Sequence, residues 1–166
     1  MVRVRLQAVR VDLQSNTPVL LLQEADGEGR TIPIFIGTPE ATAIAFALQE
    51  VEVPRPLTHD LLVDIIEAFG GTLSQVVISE LEGSTFYAEL YLQSATEEIV
   101  VSARPSDAVA LAIRTKSPLF VADSIMDSEG VVMELDDDGD NEEEEEIVVD
   151  QFREFLDTIQ PEDFSG

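Results

Sequence analysis

Residues 73–113 read LSQVVISELEGSTFYAELYLQSATEEIVVSARPSDAVALAI. Laid over residues 6–46 at a shift of 67, the stretch repeats the earlier pattern without a gap. Leu6 falls on Leu73, Val9 on Val76, Val11 on Ile78 and Thr17 on Ser84. The clearest correspondence is EATAIAF (40–46) over DAVALAI (107–113), in which acid, Ala, apolar or Thr, Ala, apolar, Ala, apolar recur in order. Three strand-type runs followed by a helix-type run predict a β-β-β-α unit, and the recurrence predicts two such units.

The local signals fill in the first unit. Residues 2–13 alternate, and the phase slips near Ala8 and Val9, which predicts a bulged strand. SNTP (15–18) and DGEG (26–29) are turns that bound the strands VLLLQEA (19–25) and RTIPIFIG (30–37). A helix is expected over 38–50, with Thr38 as its N-cap and Pro39 at its first position. VEVPRPLT (51–58) is extended, because a residue before proline avoids the helical region. Thr58 is expected to cap a helix through Phe69 that buries Leu62, Ile65, Ile66 and Phe69, with GG (70–71) ending it. SPLFVADSIM (117–126) reads as a further strand. The fold class expected is α+β: duplicated β-β-β-α units in a largely antiparallel sheet with helices packed on it.

The chain has 166 residues, 45% of them apolar and none of them Cys. That length suits one domain with a real core, and the absence of thiols excludes disulfides and thiolate zinc sites. No signal-peptide pattern or long apolar run appears, so a soluble cytoplasmic protein with no membrane contact is expected. The net charge is −25 and uneven. Residues 1–132 hold 19 acids and 8 Lys or Arg, a balance of −11, and residues 133–166 hold 15 acids and one Arg, a balance of −14. Such a body cannot grip phosphate backbones generally; nucleic acid would need a local basic patch or metal ions.

Three segments follow: a domain over 1–132 with repeats at about 6–46 and 73–113, an acidic disordered linker over 133–146, and an amphipathic helix over 147–160. The helix is expected from Val148, Phe152, Phe155 and Ile159, spaced 4, 3 and 4 apart. The acidic run matches a calcium-binding loop only loosely, since Asn141 stands where an apolar residue belongs and no helix leads in.

Two Arg-Pro stretches carry the candidate chemistry: PRPLTHDLL (54–62) and ARPSDAVAL (103–111). Asp60 and Asp107 stand in first turns beside Thr58 and Ser106, where capping and the helix dipole account for them. His59 is the single histidine, and an imidazole is a side chain suited to proton transfer. Glu40 is equivalent to Asp107 under the 67-residue shift, so the helix starts could gather Glu40, Asp60 and Asp107 with Arg55 and Arg104. A carboxylate cluster of that kind either holds Mg²⁺ or Mn²⁺ for phosphodiester hydrolysis or is a salt-bridge network joining the halves. Arg55 is expected to find an acid, because a cation is unfavourable at a helix start. Arg114 and Lys116 complement the dipole at a helix end, and Arg114 is also a candidate substrate contact. No organic cofactor is indicated.

The stretches IPIFIGTPEATAIAFAL, PRPLTHDLL, GTLSQVVISELEGSTFYAEL and VSARPSDAVALAIRTKSPLFVAD closely resemble the bifunctional nuclease family, over roughly residues 2–125. Arg55, Pro56, Thr58, His59 and Asp60, and Arg104, Pro105, Ser106, Asp107 and Ala108, occupy its signature positions. FREFLDTIQPEDF near the C-terminus looks like the ending of actinobacterial members. The resemblance implies cleavage of DNA and RNA, with divalent metal, by an α+β domain that assembles into homo-oligomers, a dimer being favoured. On that reading His59 is the proton-transfer group, Asp60, Asp107 and Glu40 hold the ion, and Arg55, Arg104 and Arg114 contact single-stranded DNA or RNA. The rival reading is a non-enzymatic regulatory or binding module whose Arg–acid pairs are structural.

Overall fold

The computed structural model describes residues 1–132. The acidic linker, the C-terminal helix and the calcium-loop-like run expected from the sequence lie outside the described residues.

The elements run β1 (Val2–Asp12), β2 (Thr17–Glu24), β3 (Arg30–Phe35), α1 (Thr38–Leu48), α2 (Thr58–Ala68), β4 (Thr72–Glu82), β5 (Thr85–Gln93), β6 (Glu98–Ala103), α3 (Pro105–Thr115), β7 (Leu119–Val121), α4 (Asp123–Glu129) and β8 (Val131–Val132). The strands form one sheet in the order β6-β5-β4-β7-β1-β2-β3-β8. Pairing is antiparallel throughout, except that β7 runs parallel to β4. β7 therefore splices two three-stranded blocks, β4–β6 and β1–β3, edge to edge. Each block is an up-and-down meander whose helix, α3 or α1, follows its last strand.

The expected bulge in β1 is present as a register shift between Leu6 and Ala8 against β2. At the β4–β5 turn Gly83 adopts φ +62°, a left-handed conformation that glycine enters at no steric cost. The expected strand over 117–126 is confined to Leu119–Val121, and Asp123 opens α4 instead. Short polar Asp and Ser at 123 and 124 favour a helix start over continued pairing.

One continuous core lies between the helices and one sheet face, with Leu20, Leu22, Ile32, Val76 and Ile78 from the strands and Ala41, Ile44, Ala108 and Val109 from α1 and α3. Leu20, Leu22, Ile32 and Ile44 are fully buried, each stabilising the fold by about 1.5–3 kcal/mol relative to exposure. α1 packs on α3, and the alanines at their buried positions keep the two helices close.

α2 is rotated from the expected orientation. His59 is buried, and Val63 packs against the core, while Leu61, Leu62, Ile65 and Phe69 are exposed. The buried stripe predicted through Leu62, Ile65 and Phe69 is therefore the open face; of that set Ile66 alone is partly covered. No helix among the described residues is long and apolar enough to cross a membrane.

Candidate functional site

Arg104 ends the strand-to-helix connection as the N-cap of α3, and Pro105 starts the helix with its preset φ. No side chain caps this end, nor that of α1, where Gly37 is the N-cap. The three helices begin one or two residues earlier than expected, so Thr38, Thr58 and Ser106 sit inside the first turn instead of capping it. In α2 the capping role falls to Asp60, whose Oδ2 accepts the Leu57 N–H at 2.9 Å.

The first turn of α3 presents Asp107 to His59 of α2 and to Arg104 at its own N-cap. Its Oδ1 accepts from His59 Nε2 at 2.9 Å and from Arg104 Nη2 at 3.1 Å, and its Oδ2 accepts from Arg104 Nε at 2.7 Å. Arg104 Nη1 lies 2.8 Å from Glu40 Oε1 of α1. Glu40 and Asp107 thus meet across one guanidinium. Burial pushes the Asp107 carboxyl up, but the hydrogen bonds from Arg104 and His59 outweigh it and hold it below its ordinary value. The same bond to Asp107 raises the Arg104 guanidinium.

A carboxylate only accepts, so His59 Nε2 must carry the proton. Nδ1 has no hydrogen-bond partner among the described residues. The fixed tautomer is what an orienting carboxylate provides for an acid–base histidine.

Asp60 does not join the other two carboxylates. Its Oδ1 accepts from Arg114 Nε at 2.5 Å. Arg114 Nη1 donates to the Ala110 carbonyl at 3.0 Å and Nη2 to the Ala43 carbonyl at 3.1 Å, and its side chain is 10% exposed. Folding back along α3 lets Arg114 reach Asp60 although Asp107 lies seven residues earlier in the same helix. Burial raises the Asp60 carboxyl, but Arg114 and the Leu57 N–H lower it further. Arg114 bolts α1, α2 and α3 together, each of its three guanidinium nitrogens donating internally.

The candidate metal set Glu40, Asp60 and Asp107 does not fit a divalent ion as placed. Each carboxylate is held by a guanidinium, and no group of three His, Asp or Glu suited to an ion occurs among the described residues. Arg55 is exposed on the connection into α2, and no acid pairs with it among the described residues, contrary to expectation.

Sequence reasoning missed a groove beside this cluster. It has a volume of about 450 Å³ and lies where the β2 start, the β3 end, the β4–β5 turn and the α3 start converge. Thr17, Phe35, Thr85, Phe86, Arg104 and Ser106 line it. The only signal in the sequence was the Arg104–Ser106 motif itself, since the other walls come from strand ends far apart in the chain.

A sequence model described as the bifunctional nuclease domain matches residues 20–134. An uncharacterized protein of Mycobacterium tuberculosis is 46% identical over 166 residues, covering 98% of each chain. Bifunctional nuclease 2 of Oryza sativa subsp. japonica is 29% identical over 117 residues, 69% of this chain and 36% of that protein. Bifunctional nuclease 1 of Arabidopsis thaliana is 26% identical over a stretch of the same length and coverage.

Proposed function

The chain belongs to the bifunctional nuclease domain family, and from that premise we propose that it hydrolyses phosphodiester bonds of DNA and RNA at the His59–Asp107–Arg104 cluster. The observation that carries the reading is the oriented histidine: a buried imidazole with Nε2 held by Asp107 and Nδ1 unengaged, beside an arginine that is 64% exposed. Arg104 keeps N–H groups beyond those used by Asp107 and Glu40, and Arg55 supplies a second exposed cation. Both are disposed to contact phosphate oxygens.

DNA lacks the 2′-hydroxyl, so water is the nucleophile common to both substrates. His59 Nδ1 takes a proton from water as its oxygen bonds to phosphorus. The bond from phosphorus to the leaving ribose or deoxyribose oxygen breaks, and His59 returns the proton to that oxygen. Asp107 holds the imidazolium formed between the two transfers, and Arg104 and Arg55 neutralise the charge on the phosphoryl oxygens.

The test is purified protein on single-stranded DNA and RNA with Mg²⁺, with Mn²⁺ and with EDTA, beside His59→Gln and Arg104→Met. Cleavage that falls about 100-fold or more in His59→Gln supports the assignment; full activity in a folded His59→Gln places the chemistry elsewhere. The same ion pairs favour a second reading, a non-catalytic module in which Arg104, Glu40 and Asp107 only tie α1 to α3. Under it, Asp107→Ala lowers stability and the wild-type protein cleaves nothing. Self-association as a dimer is proposed with the nuclease reading and is read by sedimentation equilibrium.

A further inference from the structure

The groove beside Arg104 has features that phosphate binding does not use. Ser106 is 5% exposed, lines the groove and has no hydrogen-bond partner among the described residues. Its hydroxyl is free to donate to or accept from an atom placed in the groove. Phe35 is a large apolar residue left 62% exposed at the same groove, and Phe86 adds a second aromatic side chain to the wall. Thr85 adds a hydroxyl that can donate or accept, and the Thr17 hydroxyl, which donates to the Ser15 carbonyl, can still accept.

The charge pattern narrows the ligand. Glu40 and Asp107 engage Arg104 from the protein side, so the groove beside them does not present a bare cation. Residues 1–132 carry a balance of −11, which opposes a grip on phosphates alone. A planar group that stacks and is edged with hydrogen-bonding atoms suits the aromatic and hydroxyl wall, with a phosphate left outside at the exposed Arg104. Such a volume falls within the usual range of small-molecule pockets.

We propose that this groove seats one unpaired nucleobase of the strand being cut, stacked on Phe35 and hydrogen-bonded by Ser106, with its phosphate outward at Arg104. The proposal rests on the nuclease reading and deepens it by naming the feature that tells single strands, loops and ends from duplex: a base free to leave its stack. A paired base offers neither its face nor its Watson–Crick edge, so duplex is excluded by the same groove.

The experiment is fluorescence anisotropy of the full chain with labelled DNA and RNA 12-mers, the same strands carrying abasic sites, and the duplexes. Wild-type protein is expected to bind intact single strands at least about ten-fold more tightly than abasic strands or duplex. Phe35→Ala is expected to weaken binding about 5- to 100-fold, the range set by loss of one stacked base. Phe35→Tyr should restore it. Ser106→Ala is expected to weaken binding several-fold. The salt dependence should stay unchanged in all three variants, because the phosphate contacts remain. Phe35 is exposed, so its variants test the groove even if Ser106→Ala folds poorly. Equal affinity for intact and abasic strands, or unaltered binding by Phe35→Ala, overturns the groove while leaving strand cleavage by the wild type in place. A wild type that neither binds nor cuts strands removes both readings together, and a preference shared by DNA and RNA distinguishes base stacking from recognition of the 2′-hydroxyl.

Discussion

His59 on α2 and Asp107 on α3 lie 48 residues apart in sequence and meet at 2.9 Å, Nε2 to Oδ1. The contact turns a helix-dipole carboxylate into the orienting partner of the only histidine in the chain. It also sets how α2 is rotated about its own axis. Asp107→Asn keeps the shape but can present an N–H to Nε2, which favours the wrong tautomer. The expected result is a fall in kcat on single strands of about 100-fold or more, with KM changed far less, read by single-turnover cleavage. An unchanged kcat would remove His59 from the proposed chemistry.

Arg114 and Asp60 give the opposite prediction. Arg114→Ala leaves the Asp60 carboxylate without its cation and strips a donor from the Ala43 carbonyl. The expected loss is about 2–4 kcal/mol in urea unfolding, with strand affinity per folded molecule unchanged. A loss of affinity without a loss of stability would return Arg114 to the substrate side.

The orientation of α2 shows where sequence reading stops. The bulge in β1 and the three-strand blocks were legible, because strand and helix periods are local properties. So was the gathering of Glu40 and Asp107, since equivalent helix starts are brought together by the packing of α1 on α3. The rotation of α2 was not legible. Its sequence is apolar on two sides, and periodicity points to the more apolar one, through Leu62, Ile65 and Phe69. What selects the other side is a pair of charge-assisted contacts, His59–Asp107 and Asp60–Arg114, whose partners lie in a distant helix. Phe69→Ser is therefore expected to shift stability by no more than about 0.5 kcal/mol, whereas Val63→Ala costs about 1–3 kcal/mol. Thermal melts of the two variants side by side check the rotation directly.

Acid stability follows from the same contacts. Asp60, Asp107 and Glu24 all have carboxyls held below their ordinary values, Glu24 by its hydrogen bond from Arg30. Between the depressed folded value and the ordinary unfolded one, near pH 4, the unfolded chain binds more protons. Stability from these groups is thus fully present above about pH 5 and is lost as pH falls through the folded values. Urea midpoints measured from pH 7 to pH 3 are expected to fall below about pH 4, and Asp60→Asn is expected to flatten that fall. Parallel curves for the two proteins would show that Asp60 does not contribute to it.

Gly37 allows the Glu40–Arg104 pair to be broken without removing either partner. A Cβ at Gly37 would stand 2.2 Å from Glu40 Oε2, so the carboxylate must move. The backbone at Gly37 has φ −76° and ψ 155°, which alanine adopts freely, and the clashing atom ends a flexible side chain. Gly37→Ala should therefore cost little stability while swinging Glu40 away from Arg104. That releases a guanidinium N–H and takes a negative charge from beside it. Both effects favour an incoming phosphate, so single-strand affinity should rise about 3- to 10-fold at low salt, with a steeper salt dependence. Glu40→Gln removes the same charge by a different route and should match it within about two-fold. A Gly37→Ala variant that melts normally but binds strands no better than wild type would mean that Glu40 does not compete with phosphate for Arg104.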